Sequence, residues 1–237
     1  MPPPLVIMVG ADKGGVGKTV TCRIMADYLS WRQIPYRAID TEYPAGGFVR
    51  FVPSAEIIDI ERIEGQMKAF DAMHGITLID VRAGQLSKIL DLLNQAQMLD
   101  DVKAGNMNLA LLHVLGPSVQ SLREVSDASL AIGGGSKHFL LKNRISATTD
   151  YFEWARPESE YAGILARMAN VTITLPHLED KAAEMTDSLG MRFLTFGQDG
   201  KGSRVLRGYV RAWLTTAFGE IERVGLGALC QEAAGTG

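Results

Sequence analysis

The stretch Gly10-Ala11-Asp12-Lys13-Gly14-Gly15-Val16-Gly17-Lys18-Thr19 decides how this chain folds. It follows a short apolar run, Leu5 to Val9, and leads into Val20, Ile24, Tyr28 and Trp31, whose near-helical spacing predicts an amphipathic helix over 19–33. A glycine-rich turn between a buried strand and a helix start gathers backbone N–H groups at the positive end of the helix dipole, where phosphate oxygens are favoured. Glycines alone would also suit a tight corner. Lys18 and Thr19 require a further reason, and a phosphate ligand supplies it: the ammonium meets the β- and γ-phosphates, and the hydroxyl meets Mg²⁺. The expected ligands are therefore a nucleotide and Mg²⁺.

Composition limits the alternatives. A chain of 237 residues with 46% hydrophobic content suits one large α/β domain over residues 1–237. With 24 basic and 27 acidic residues the net charge is -3, so no global field draws the chain to nucleic acid or anionic lipid, and such contact requires a local patch. Cys22 and Cys230 have neither metal-ligand spacing nor a disulfide framework, which fits a reducing cytoplasm. The start, Met1-Pro2-Pro3-Pro4, has no positive leader segment, and no apolar run approaches the ~20 residues of a membrane span. The expectation is a cytoplasmic protein.

Further strands are predicted at 36–40, 55–60, 76–80, 108–115, 137–142 and 171–175. Helical patterns fall between them at 61–74 (Ile63, Met67 and Phe70 at helical spacing), 85–101, from Pro117 to about Gly133-Gly135, and 178–189, with a last helix from Gly202. This alternation predicts a doubly wound, mostly parallel sheet of about seven strands with helices on both faces. The last helix carries an apolar stripe of Leu206, Tyr209, Val210, Trp213 and Ala217, with Arg204, Arg207 and Arg211 on a neighbouring face and Lys201 just upstream. Residues 147–168, with Tyr151, Phe152 and Trp154, read as a surface excursion that either docks a partner or tucks its rings under the loop.

From Lys13 onward the pattern K-G-G-x-G-K-T resembles the deviant phosphate loop of the ParA/MinD family, P-loop ATPases that partition chromosomes and plasmids, place division sites and position cargo. The resemblance implies that Gly14, Gly15, Val16, Gly17, Lys18 and Thr19 hold the nucleotide, and that Lys13 reaches the phosphates of the partner subunit in a nucleotide sandwich homodimer. It implies catalytic carboxylates at Asp40 and Glu42, where the family has D-x-D-P, and a magnesium carboxylate at Asp80 beside Thr19. Asn143, Arg144 and Pro176 fall where the family contacts adenine. The match has departures: Glu42 stands for an aspartate, Tyr43 separates it from Pro44, and Asp80-Val81-Arg82-Ala83-Gly84 stands where D-T-P-P-G is usual. Arg82 is open to two readings, a sensor of the γ-phosphate or a solvated side chain, and His177 reads as structural.

The function implied is an ATP-driven dimerisation switch with slow, partner-stimulated hydrolysis, acting in DNA partition or cargo positioning. Its partners would be a second copy, an unidentified stimulating or cargo protein and, if the basic face at Arg204, Arg207 and Arg211 is used, non-specific DNA. A solvated helix face is the other reading of those arginines. The tail from Gly225 lacks the basic amphipathic helix with which MinD-type members grip membranes, so no membrane partner is expected. Two alternatives stand beside this reading: an ATP-dependent metabolic synthetase on the same scaffold, and a nucleotide-binding adaptor with little hydrolysis. The nitrogenase iron protein branch is excluded because cluster-ligating cysteines are missing.

Overall fold

The computed structural model describes residues 2–11, 13–71, 73–116, 135–144, 162–200 and 202–235, with Ser121, Arg123, Val125 and Ala128 between, and the backbone alone at 162, 164 and 165. Its central strand is β1 (Leu5–Gly10), buried along its whole length. Leu5, Ile7 and Val9 enter one core cluster while Val6 and Met8 enter the other, because successive side chains of a strand point to opposite faces. A strand covered on both sides can therefore be apolar throughout.

Around β1 lie β2 (Tyr36–Asp40), β3 (Glu56–Ile57), β4 (Ile76–Asp80), β5 (Asn108–Leu115), β6 (Lys137–Asn143) and β7 (Thr172–Leu175). Their order is β3-β2-β4-β1-β5-β6-β7, and every adjacent pair is parallel. The chain runs from β1 out to β3, returns to β4 beside β1, and then builds the other half of the sheet. This reversal opens a crevice at the carboxyl ends of the central strands, where open α/β sheets bind ligands. Register delivers the site residues there: Asp40 lies opposite Asp80, and Asp80 opposite Val9, one residue before the end of β1.

The helices are α1 (Lys18–Trp31), α2 (Ile63–Phe70), α3 (Leu86–Gln95), α4 (Met98–Ala104), α5 (Ala162–Arg167), α6 (Asp180–Ser188), α7 (Phe193–Gln198), α8 (Arg204–Arg223) and α9 (Leu226–Ala234). Residues of α1, α7, α8 and α9 pack on the Leu5/Ile7/Val9 face, and those of α3 and α4 on the other. Buried Asp27 fastens α1 to α7 by accepting from Arg192 Nε at 2.8 Å and Leu194 N at 3.1 Å. Among the described residues no helix is long and apolar enough to cross a membrane.

Several expectations are corrected. The single helix read over 85–101 is two, α3 and α4, because Gln97 between them adopts a left-handed φ of 58°. Of the residues at helical spacing over 61–74, Ile63 and Met67 are 61% and 54% exposed. The eight-residue α2 follows a two-residue edge strand, and only Ala69 and Phe70 of its last turn reach the core. Tyr209 on α8 is likewise exposed, and Trp31 is half exposed although its ring stacks on Phe218 at 5.2 Å. Of the helix expected from Pro117, Ser121, Arg123, Val125 and Ala128 are described and helical, while its other residues to 134, the rings of Tyr151, Phe152 and Trp154, and Lys201 lie outside the described residues.

A histidine pair, His113 buried and His138 half-buried, joins β5 to β6: His113 Nε2 and His138 Nδ1 are 3.0 Å apart, and Ser136 Oγ lies 2.8 Å from His138 Nε2. Burial, followed by the His138 charge, pushes His113 down to about 3, and burial lowers His138 as well. Both folded values lie below the ordinary one, so the stabilisation is present above pH ~6.5 and is lost as pH falls towards 3. Urea midpoints should drop between pH 6.5 and 4 with a slope approaching ~1.4 kcal/mol per pH unit for each proton taken up on unfolding. In a His113→Gln variant this slope should flatten.

Candidate functional site

The loop after β1 turns through Gly15 (φ 75°) and Gly17 (φ 97°), left-handed conformations that side chains disfavour, and delivers the chain into α1. Gly17 has a second constraint, since a Cβ there would fall 2.1 Å from Asn143 Nδ2. Lys18 is 9% exposed, and its Nζ donates to the Lys13 carbonyl at 2.9 Å, which folds the ammonium over its own loop. Lys13 itself is exposed. The resulting cleft, about 360 Å³, is lined by Gly14, Gly15, Gly17, Lys18 and Thr19 together with Asp40, Glu42, Asp80 and Arg82.

Thr19 Oγ1 donates to Asp80 Oδ2 at 2.8 Å, so a hydroxyl and a carboxylate from two elements meet at the cleft. Burial, with a smaller push from Asp40 and opposition from Thr19 and Lys18, raises the Asp80 carboxyl to about 7. A carboxylate starved of compensating charge beside a threonine hydroxyl suits a hard divalent cation: Mg²⁺ prefers six oxygens and is usually held by one or two carboxylates plus substrate phosphates. Thr19 and Asp80 are the residues that would hold it. Among the described residues no group of three or more His, Cys, Asp or Glu side chains is placed to hold a metal alone.

The two carboxylates of the following loop have different surroundings. Asp40 is 1% exposed; its Oδ1 accepts from Glu42 N at 3.0 Å, and its Oδ2 from Phe48 N at 2.8 Å and Val49 N at 3.3 Å. Gly46 packs against it so closely that a Cβ would fall 2.1 Å from Oδ2. Asp40, expected as a catalytic carboxylate, is thus engaged as the internal brace of loop 42–49. Glu42 is exposed and lines the cleft, and Gly47 lies between its Oε2 and Thr19 Oγ1.

On the far side of Val20 a second cavity of about 300 Å³ brings Asn143, Arg144 and Pro176 together, as expected, with Arg23, His177, Leu178, Phe193 and Trp213. Asn143 Nδ2 donates to Val16 O at 3.3 Å, which ties the end of β6 to the phosphate loop and leaves the amide oxygen as its remaining acceptor. Pro176 is fixed from behind, its carbonyl accepting from Trp213 Nε1 at 2.7 Å. His177 pairs with Asp180 at 3.1 Å on the cavity wall. Arg23 is the lining residue that the sequence reading overlooked. It is buried between the Phe51 and Phe193 rings, 3.6 and 3.9 Å from their centroids, and its Nη2 donates to Met191 O. Its position three residues after Val20 on one helix face was the available signal.

The arginines expected to face DNA are placed otherwise in part. Arg207 donates to the Asp199 carbonyl and Arg211 to Gly197 O at 3.3 Å, so both close the carboxyl end of α7, where a helix welcomes positive charge. Arg204 is exposed.

The sequence matches no family model and no curated protein. Among solved structures, a nucleotide-binding protein from Archaeoglobus fulgidus in complex with ADP aligns with a TM-score of 0.51 at 14% identity, over 78% of this chain and 86% of that one. This chain has an α/β P-loop NTPase fold. The MinD cell division protein of Aquifex aeolicus aligns at 15% identity over 90% of this chain and 97% of its own, with a TM-score of 0.48. At such identities the likeness is one of fold alone.

The Thr19–Asp80 pair yields a second prediction. Asp80 has a folded value raised above its unfolded one, so its contribution to the ligand-free protein is fullest below pH ~3.8 and is lost as pH rises through 7. Asp80→Asn keeps an acceptor for Thr19 and removes the charge. Its ligand-free melting temperature at pH 8 should match or exceed wild type, while Mg²⁺ affinity, read by magnesium titration of bound fluorescent nucleotide, should fall ~10–100-fold.

Proposed function

We propose that this chain is an ATP-binding and ATP-hydrolysing dimerisation switch. The observation that carries the reading is the meeting of two cavities at Val20: one holds a glycine loop with buried Lys18 and the Thr19–Asp80 pair, the other the oriented amide of Asn143. The first suits a triphosphate chain with Mg²⁺, the second a purine base. One Nδ2 hydrogen of Asn143 donates to Val16 O, and the amide keeps its oxygen as an acceptor for the exocyclic amine of adenine.

Within this reading Lys18 balances phosphate charge, and Glu42 orients the attacking water, as its exposed carboxylate faces the cleft. Magnesium, when bound between Thr19, Asp80 and the phosphates, adds charge neutralisation at the oxygens where negative charge develops. Lys13, exposed at the lip of the loop, supplies positive charge to nucleotide bound by a second copy. Nucleotide-dependent dimers of this kind would serve partition or cargo positioning, with a stimulating protein and non-specific DNA as partners, the latter met by Arg204 and its neighbours. A second reading, an adaptor with little hydrolysis, draws support from Asp40: its oxygens are committed to the loop backbone, which leaves one glutamate for water.

Light scattering tests the dimer. With magnesium and the non-hydrolysable analogue AMPPNP the mass should double, with ADP it should not, and Lys13→Ala should stay monomeric in both. A monomer under every nucleotide condition would rule the dimer out, and steady-state hydrolysis with and without duplex DNA separates switch from adaptor.

A further inference from the structure

Arg82 occupies an unusual place. It follows β4 by two residues, in a loop that leads from Asp80 to α3, and its exposed side chain lines the same cleft as Gly14, Lys18, Thr19 and Glu42. Among the described residues no carboxylate pairs with its guanidinium, although Asp40, Glu42 and Asp80 all border the cleft. Its backbone, by contrast, is held at both ends. Arg82 N donates to Thr41 Oγ1 at 2.8 Å, its carbonyl accepts from Gln85 N at 3.1 Å, and Gly84 supplies the left-handed turn (φ 74°) between them. Thr41 is itself 2% exposed, and its hydroxyl donates to Asp80 O at 3.1 Å while receiving the Arg82 N–H. One buried hydroxyl therefore joins the loop of Asp40 and Glu42 to the loop of Asp80 and Arg82.

We propose that Arg82 reads the terminal phosphate of a nucleotide bound in its own subunit, with Thr41 as the positioning residue. This assignment builds on the nucleotide-binding reading above and goes beyond it. A planar guanidinium carries five donors in a fork that matches phosphate oxygens, and it stays charged at every working pH. The β-phosphate already has the loop N–H groups and Lys18, so a further exposed cation lining the cleft bears on what distinguishes ATP from ADP. Lys13 acts towards a second copy, whereas Arg82 acts within its own chain, and so the triphosphate state is registered before any dimer forms. Because Thr41 ties the two loops, that state is transmitted to Glu42.

The test is calorimetric titration of magnesium AMPPNP and magnesium ADP into wild type, Arg82→Ala, Arg82→Gln, Arg82→Lys and Thr41→Val, at protein concentrations where the ligand-free chain is monomeric. Wild type should favour AMPPNP over ADP. Arg82→Ala and Arg82→Gln should lower AMPPNP affinity by ~10–100-fold, the worth of charge-assisted hydrogen bonds, and leave ADP affinity within about twofold. Arg82→Lys should restore part of the preference, since it returns charge without the fork. Thr41→Val, which keeps shape and removes the hydroxyl, should reduce the preference part-way with ADP binding intact; a merely structural role would weaken both ligands together. An unchanged AMPPNP-to-ADP ratio in Arg82→Ala overturns the assignment alone. Wild-type protein that binds neither nucleotide overturns it together with the nucleotide reading on which it rests.

Discussion

A Lys18→Ala variant loses ATP and ADP binding by at least ~100-fold, the consequence of removing two charge-assisted hydrogen bonds to phosphate. Lys18 is the cation that the loop itself buries: the residue is 9% exposed and its ammonium donates to the Lys13 carbonyl, so it is held at the loop before any ligand arrives. Little ordering entropy remains to be lost on binding, which makes each contact worth more. The backbone N–H groups survive the substitution but cannot balance a triphosphate alone. Titration with a fluorescent ATP analogue, together with a melting curve to show that the fold persists, gives the comparison. Affinity equal to wild type would mean that the loop is only a corner.

Asp40→Ala and Glu42→Ala should fail in opposite ways. Asp40 accepts three backbone N–H groups from inside a buried site, and its removal leaves those donors unpaired. The expected cost is roughly 3–5 kcal/mol, since hydrogen bonds to a charged group and stranded buried donors are both expensive. In a domain of this size that corresponds to ~6–20 °C of melting temperature. Glu42 makes its contribution from an exposed position, so Glu42→Ala should melt as wild type does and hydrolyse ATP ~10²–10⁴-fold more slowly, as loss of a positioned acid–base group does. Calorimetric melting and single-turnover hydrolysis of both variants resolve the two roles. Equal melting temperatures would show that loop 42–49 does not depend on Asp40.

The sequence made legible what short-range rules govern. Residues 10–19 announced the strand, the loop and the helix, because left-handed turns need glycine and a phosphate cradle needs a lysine and a hydroxyl in fixed order. Asp80 and Asn143 stand at the ends of predicted strands, and the parallel sheet delivers Asp80 to the Lys18 cleft and Asn143 to the cavity beside Val20. What depends on burial was hidden. Asp40 and Glu42 look alike in a motif, yet one is enclosed by Gly46, Phe48 and Val49 and the other faces the cleft. Arg207 and Arg211 have the spacing of a basic stripe, but the end of α7 lies within reach and offers carbonyls to both. Arg23 reads as an ordinary helix residue until Phe51 and Phe193 close on its two faces. Ile63 and Met67 have helical periodicity, which specifies a stripe and not which way the stripe turns.

The most direct measurement is a calorimetric titration of magnesium ADP and magnesium ATP into the wild-type chain, with GTP as the control. Saturable binding at one site per chain, weaker for GTP and abolished in Lys18→Ala, is what the joined cavities around Val20 predict. A folded protein that shows neither heat nor a thermal shift with either adenine nucleotide would contradict the account.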